Sequence, residues 1–342
     1  MADDPTPVSI YGAWHCGADA CLWGEERDPL EFHQANRWLI DRDGAGPSSD
    51  PSVNLVVLSF VNPLKLLHKT TDAYTLDGVP RGMTLAIVDY FRSRDVRVML
   101  SIGGITYVDD WNAALAEDAA QLGLNAAAVA SDLGVGIEID YEEARNPDLA
   151  NLAQFIAAYR SVHPQGAPGD PALLTIDLAA GDRWLIDLTR YATVHWLDDT
   201  NPVLDWANAM VPNRQPGSAD EAIANWKEHI DGKPQYDPPI PPLAPQMFTG
   251  SLYIVTGRNP APECTDFGTS LQYGTREFVQ RALPHPDLAG GTPGMLGFMF
   301  WAAEQPSPRR ISTAPPNSCE GGVGDGATFY DIPVPMPTPN GG

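Results

Sequence analysis

Short apolar segments bounded by turn residues alternate along the chain with segments in which apolar residues recur every three or four positions. The first pattern is typical of buried parallel strands, and the second of helices with one apolar face. The predicted strands are 8–11, 53–61, 96–102, 135–141, 173–178, 204–211, 247–255 and 295–301. The clearest predicted helices are 84–93, 122–131, 149–162, 219–229 and 275–283.

This alternation of strands and helices predicts the α/β class and a (β/α)8 TIM barrel in a single domain. An open doubly wound sheet is the alternative, but its first strand usually leads into a glycine-rich phosphate loop. Neither GxGxxG nor GxxxxGK[ST] occurs, so no nucleotide cofactor is predicted. The barrel is expected to span residues 1–332, with a Pro/Gly-rich tail at 333–342.

Composition and charge exclude several classes of partner. Hydrophobic residues make up 43% of the chain, enough for a large core, but no run of about 18 apolar residues predicts a membrane span. The 21 basic and 44 acidic residues give a net charge of −23, which repels phosphate backbones and anionic lipids. We therefore expect neither nucleic acid nor a membrane as a partner.

The four cysteines are Cys16, Cys21, Cys264 and Cys319. The first two are five residues apart around a glycine, which suits a small disulfide loop, although free buried thiols stay open. No Cys-x-x-Cys pair or histidine cluster accompanies them, so no metal site is predicted. Disulfides favour an oxidising compartment and hence secretion. The segment MADDPTPVS lacks the features of a signal peptide, which would then be missing from this sequence.

Candidate chemistry is concentrated on the fourth predicted strand, in GVGIEIDYEEA. Glu138, Asp140 and Glu142 occupy alternate positions, so period-2 geometry places them on one side, toward the barrel mouth where TIM-barrel active sites lie. Three adjacent carboxyl groups repel one another, so at least one pKa should be raised, as a general acid near neutral pH requires. A solvated acidic face is the alternative, but barrel strands are enclosed on both sides.

Residues 135–142, VGIEIDYE, resemble the DGxDxDxE motif of the family 18 glycoside hydrolases, which comprise chitinases and endo-β-N-acetylglucosaminidases. Asp140, Tyr141 and Glu142 match this motif, whereas Val135 and Glu138 depart from it.

Three further markers of that family follow in order along the chain. Ser101, Gly103 and Gly104 match SxGG at the end of strand three, and Trp301 matches the tryptophan that ends strand eight. Residues 204–213, LDWANAMVPN, resemble LDxxxxMxY[DN], with Pro212 in the tyrosine position.

The resemblance implies hydrolysis with retention of configuration, in which the 2-acetamido oxygen of the substrate is the nucleophile. Glu142 would be the general acid and base, Asp140 would orient the acetamido group, and Glu138 would share a proton with Asp140. No cofactor or metal is implied.

The resemblance also implies a substrate-binding set. Trp301 would stack on the sugar ring. The remaining members are Ser101, Gly103, Gly104, Tyr141, Met210 and Asn213. Pro212 cannot donate the hydrogen bond of the missing tyrosine, and Asn213, Tyr11, Tyr253 and Tyr273 are open as replacements.

Several other aromatic residues have two interpretations. Trp14 and Trp23 could line a subsite or pack in the core, and Trp111 could be a rim platform or a packing residue. His15, at the end of the first strand, could contact substrate, but a partly buried histidine with its hydrogen bonds satisfied is the favoured interpretation. Trp184, Trp206 and Trp226 are interpreted as structural.

The interval from 255 to 295 is too short for the α+β insertion domain of some relatives, so a shallow groove and endo action are expected. The leading hypothesis is a secreted, monomeric endo-hydrolase of β-1,4 linkages next to N-acetylglucosamine, in chitin, chito-oligosaccharides or the core of N-glycans. A non-catalytic carbohydrate-binding protein with the same barrel and a hydrolase of another glycan are the alternatives.

Overall fold

The computed structural model describes residues 10–16, 22–36, 39–40, 51, 53–167, 172–179, 184–198, 200–210, 226–253 and 295–301. Its strands are β1 (Ile10–His15), β2 (Leu55–Val61), β3 (Thr75–Leu76), β4 (Val79–Pro80), β5 (Arg97–Gly103), β6 (Gly136–Asp140), β7 (Leu174–Leu178), β8 (Trp206–Ala209), β9 (Phe248–Tyr253) and β10 (Gly297–Trp301).

Eight of these strands form a closed parallel barrel in the order β1-β10-β9-β8-β7-β6-β5-β2. The barrel closes because β1 pairs with β10, with Ile10 opposite Gly297, and also with β2, with Gly12 opposite Leu55. The short β3 and β4 form a separate antiparallel pair. The carboxyl ends of the barrel strands therefore share one face, as the site prediction requires.

Six helices are complete within the described residues: α1 (Pro29–Asn36), α2 (Pro63–Leu67), α3 (Leu85–Arg92), α4 (Val108–Leu133), α5 (Leu149–Val162) and α6 (Ile186–His195). Polar caps fix where several of them begin. Thr84 caps α3 and Asp148 caps α5, each accepting a hydrogen bond from a backbone N–H of the first turn. Among the described residues, no helix has the length and apolar character needed to span a membrane.

The sequence pattern predicted the α/β class and the parallel sheet, and both are confirmed. Each of the eight predicted strands overlaps a barrel strand, and the helices 84–93 and 149–162 correspond to α3 and α5. The helix 122–131 is only part of α4, which extends back to Val108 across a kink at Asp118. The pattern missed α1, α2 and α6, because α2 has only five residues and polar residues interrupt the other two.

Some predictions fall on parts of the chain outside the described residues. These are the tail at 333–342, the helix at 275–283 and the interval from 255 to 295 that is expected to be too short for an insertion domain. The predicted helix at 219–229 is described only from residue 226, and residues 226–230 are helical. The complete eightfold strand–helix repeat and the domain limits therefore stay predictions.

Two apolar regions surround the inward-facing polar residues. Outside the barrel, Ile137 and Ile139 of β6 and Leu174, Ile176 and Leu178 of β7 belong to the core formed with the helices. Inside, a smaller apolar cluster contains Ile10, Trp14, Leu55, Val57, Met99, Trp206 and Met299. Buried polar side chains continue along the same inward-facing rows toward the carboxyl ends: Ser59, Ser101, Glu138, Thr175, Asp177, Asn208, Thr249 and Ser251. The barrel interior therefore becomes polar on the side of the candidate site.

Candidate active site

The predicted carboxyl row lies on β6 and the residues just after it. Because Ile137 and Ile139 face the helices, Glu138 and Asp140 face the barrel interior, where they are 0% and 4% exposed. Glu142 follows two residues after the strand ends and is partly exposed. The three acidic groups interact electrostatically, as the spacing predicted. A partly accessible acid thus stands above two buried ones.

Glu138 is held from opposite sides of the barrel. The Trp14 indole Nε1–H donates to its Oε1 at 2.8 Å, and the Asn208 Nδ2 amide donates to its Oε2 at 2.7 Å. Burial raises the pKa of Glu138 from 4.5 to about 6, and these donors oppose that rise because they stabilise the ionised form. Its bonding therefore favours the carboxylate.

The orientation of the Asn208 amide is fixed by two other donors. Its Oδ1 accepts hydrogen bonds from the Trp206 Nε1–H and the Thr249 hydroxyl, both at 2.7 Å. An indole N–H can only donate, so the oxygen of Asn208 must face Trp206 and its NH2 group must face Glu138.

Asp140 lies between Glu138 and the barrel mouth. Burial raises its pKa well above the ordinary value, and the negative charges of Glu142 and Glu138 raise it further. Its Oδ1 is buried and has no hydrogen-bond partner among the described residues. Asp140 therefore has an acceptor atom available inside the site.

Glu142 has the properties of a general acid. Burial raises its pKa from 4.5 to about 7, although a hydrogen bond from the Ile105 backbone N–H acts in the opposite direction. A carboxyl group with this pKa can both donate and accept a proton near neutral pH.

The glycines of the SxGG segment allow close contact between β5 and the end of β6. Gly103 has φ +123°, and a Cβ there would collide with the Asp140 carbonyl oxygen and the Trp111 indole nitrogen. Gly104 has φ +89°, and its N–H donates to the Asp140 carbonyl at 3.0 Å. The Trp111 Nε1–H donates to the same oxygen at 3.1 Å. The segment therefore fixes the backbone that carries Asp140.

Tyr141 lies away from the barrel interior, contrary to the expectation that its side chain binds substrate. The side chain is 0% exposed, and its ring packs against Trp111 with centroids 5.6 Å apart. Its hydroxyl donates to Asn112 Oδ1 at 2.5 Å and accepts from the Asp148 backbone N–H at 3.0 Å. It therefore stabilises the segment around Glu142 from behind.

The other predicted binding residues are placed unevenly. Ser101 is fully buried opposite Glu138 in the β5–β6 register, and Met210 is partly buried and packs against residues of the larger apolar core. Asn213 lies outside the described residues. Trp301 ends β10 as expected, but its side chain is not among those described. The structure therefore brings Ser101 to the carboxyl row and leaves the roles of Met210, Asn213 and Trp301 as predictions.

The aromatic residues with two interpretations fall into two groups, one at the site and one in the core. Trp14 contacts the site through Glu138, whereas Trp23 and Trp111 are fully buried packing residues. His15 is buried, with Nε2 2.7 Å from Asn36 Oδ1, as expected for a hydrogen-bonded core histidine.

Sequence reasoning missed Asp177 and Asn208. Asp177 of β7 is 3% exposed, and burial, followed by the charges of Glu138 and Asp140, raises its pKa well above the ordinary value. The available signal was an acidic or amide side chain within an otherwise largely apolar strand, in LLTIDL and WANAM, since barrel strands are enclosed on both faces.

No group of three or more histidine, cysteine or acidic residues in the described part of the chain could hold a metal ion. Cys16 is buried and is not a free thiol. The other three cysteines lie outside the described residues, so the disulfide pairing stays a prediction.

Comparison with known proteins supports the fold and adds little at the level of sequence. No protein-family model matches the chain, and no curated protein matches it. Among solved structures, the fold is similar to that of a GH18 chitinase from Pseudoalteromonas aurantia, with a TM-score of 0.50 and 16% identity. The similarity covers 82% of this chain and 91% of that one. At this identity the likeness is one of fold.

Proposed function

We propose that the chain is a retaining endo-glycosidase that hydrolyses β-1,4 linkages next to N-acetylglucosamine, in chitin or chito-oligosaccharides, by substrate-assisted catalysis. The observation that carries the proposal is Glu142, partly exposed beyond β6 with a pKa of about 7, beside the buried Asp140. The similarity of the fold to a GH18 chitinase supports the same reaction class.

In the proposed first step, the acetamido oxygen of the substrate forms a bond to the anomeric carbon while the bond to the leaving oxygen breaks. Glu142 gives its proton to that leaving oxygen. In the second step, the Glu142 carboxylate takes a proton from water, and the water oxygen opens the oxazolinium at the same carbon. Two inversions give net retention, and no nucleophilic side chain is needed.

Asp140 is proposed to accept a hydrogen bond from the acetamido N–H, for which its buried Oδ1 has no competing partner among the described residues. This contact would orient the acetamido oxygen toward the anomeric carbon and stabilise the positive charge that develops on the nitrogen. Glu138 lies two residues before Asp140 on the same side of β6, where Trp14 and Asn208 hold it.

The test is mass spectrometry of the products from chitin hexamer and from a high-mannose glycoprotein. Wild type should release short oligomers from the hexamer, and Glu142→Gln should lower the rate by about 10²- to 10⁴-fold. Glu143→Gln is the matched control and should retain activity, because Glu143 instead bonds to Asn112 and the 145–146 backbone. Full activity of Glu142→Gln would overturn the assigned acid.

The same experiment separates the alternatives. Release of a glycan ending in one N-acetylglucosamine would make the chain a deglycosylating enzyme. Glycan binding without turnover, unchanged by Glu142→Gln, would identify a carbohydrate-binding protein. Turnover that a thiazoline analogue of the oxazolinium fails to inhibit would indicate a glycan cleaved without acetamido assistance. The glycan is the only partner proposed, and secretion and a monomeric state remain parts of the proposal.

A further inference from the structure

Asp177 adds a fourth carboxyl group to the site from a neighbouring strand. Leu174, Ile176 and Leu178 pack outward against the helices, so Asp177 faces the barrel interior. In the β7–β8 register it lies opposite Asn208, the residue that donates to Glu138. Asp177 is 3% exposed and interacts electrostatically with Glu138, and its Oδ1 has no hydrogen-bond partner among the described residues.

A hydrogen bond between two carboxyl groups needs one proton, and the surroundings decide which group carries it. Each oxygen of Glu138 already accepts from an N–H group that can only donate in that direction, Trp14 Nε1 on one side and Asn208 Nδ2 on the other. These contacts stabilise Glu138 as the ionised acceptor. A hydrogen bond between the two acids therefore requires the proton to be on Asp177.

The charges around Asp177 act in the same direction. The titratable groups that face it are Glu138 and Asp140 on β6 and Glu142 just beyond, all acidic. The neighbouring β8 presents the neutral Asn208, and β9 presents the neutral Thr249 and Ser251. Burial without a nearby cation among these groups disfavours a further negative charge.

Asp140 does not take this place beside Glu138. Hydrogen bonds from Trp14 and Asn208 and an interaction with Asp177 lower the pKa of Glu138, whereas Asp140 interacts with Glu138 through its charge. Asp140 is thus separate from the proton shared below it, and its Oδ1 is available for the substrate.

We propose that Asp177 is a positioning residue that remains protonated at neutral pH and donates a hydrogen bond to Glu138, taking the proton-sharing role expected of Asp140. This inference rests on the proposed function, since it explains why Asp140 is free to accept a hydrogen bond from the acetamido N–H of the substrate. Asp177 acts through Glu138 and does not touch the substrate.

The test compares two substitutions that both remove the carboxyl group. Asp177→Asn keeps a neutral N–H donor toward Glu138, whereas Asp177→Ala removes it. We expect Asp177→Ala to lower kcat/KM on chitin hexamer by about tenfold or more, and Asp177→Asn to restore most of that loss. In Asp177→Asn, kcat/KM should also fall at the same alkaline pH as in wild type, because the pKa of Glu142 determines that fall. Equal impairment of the two variants, or full activity of Asp177→Ala, would overturn the inference.

A second measurement, NMR spectroscopy of the aspartate carboxyl groups, needs no substrate. Its only variant, Asp177→Asn, keeps an N–H donor toward Glu138. Aspartate residues are labelled with 13C at the carboxyl carbon, and the Asp177 signal is assigned as the one that disappears in Asp177→Asn. At neutral pH it should have the chemical shift of a protonated carboxyl group, and a carboxylate shift would contradict the inference. If wild type cleaves no N-acetylglucosamine substrate, the proposed function fails while the protonation of Asp177 is still decided.

Discussion

Replacing Glu142 with glutamine should make the folded protein more stable above neutral pH, although it should remove catalysis. Burial raises the pKa of Glu142 from 4.5 to about 7, so the folded state binds this proton more tightly than the unfolded state does. Wild type therefore loses stability as the pH rises from 4.5 to about 7, because the unfolded chain releases the proton first. Glutamine cannot ionise, so the variant avoids this loss.

The size of the effect follows from the same two pKa values. A rise from 4.5 to about 7 corresponds to roughly 3 kcal/mol at about 1.36 kcal/mol per pKa unit. Glu142 is partly exposed, so solvent screening reduces the expected stabilisation to about 1–2 kcal/mol. The gain should be nearly complete at about pH 8 and small at about pH 5.

The assay is urea unfolding of wild type and Glu142→Gln at both pH values, with the free energy of unfolding extrapolated to water. Glu143→Gln is the matched control. Hydrogen bonds from the Arg145 backbone and Asn112 lower the pKa of Glu143, so its carboxylate stabilises the fold as the pH rises and its replacement should have the opposite sign.

Two outcomes of the unfolding experiment would contradict the raised pKa of Glu142. If Glu142→Gln were no more stable than wild type at about pH 8, or if its gain were the same at about pH 5, the acid would not be held protonated by burial. Its assignment as the general acid would then lose its main support.

Three further predictions concern the same site. First, kcat/KM should fall as the pH rises above about 7, because Glu142 must carry a proton to begin the reaction; a constant rate up to about pH 9 would argue against this acid. Second, Gly103→Ala should cost about 3 kcal/mol in urea unfolding, and more than Gly104→Ala, because its Cβ would meet backbone rather than a movable ring. Third, Asn208→Leu should cost about 2–4 kcal/mol, because it leaves Glu138 Oε2, the Trp206 indole N–H and the Thr249 hydroxyl without the partner that each has in Asn208; a cost below about 1 kcal/mol would contradict that network.

The spacing of residues along the chain was sufficient to predict the strands and the side of the strand on which the central acids lie. A buried parallel strand is a short apolar run whatever packs on it, so all eight predicted strands overlap barrel strands. Alternation along a strand likewise places Glu138 and Asp140 on one side without knowledge of the rest of the fold. By contrast, α1 and α6 form despite polar residues in their sequences, because packing against the barrel stabilises helices whose own pattern is weak.

Tertiary structure decided which residues complete the site. Trp14 on β1, Asp177 on β7 and Asn208 on β8 are 124, 39 and 70 residues from Glu138 in sequence, and barrel closure brings them to it. Tyr141 matches the motif in sequence, yet it faces the helices because alternation places it on the outer side of the strand.

The class of fold, the row of carboxyl groups and the glycines beside it are all predictable from the sequence, since each depends on residues close together in the chain. The distribution of protons among the acids depends instead on the closed barrel. Burial and the direction of each hydrogen bond set their pKa values, and both depend on side chains that meet only when the barrel is closed.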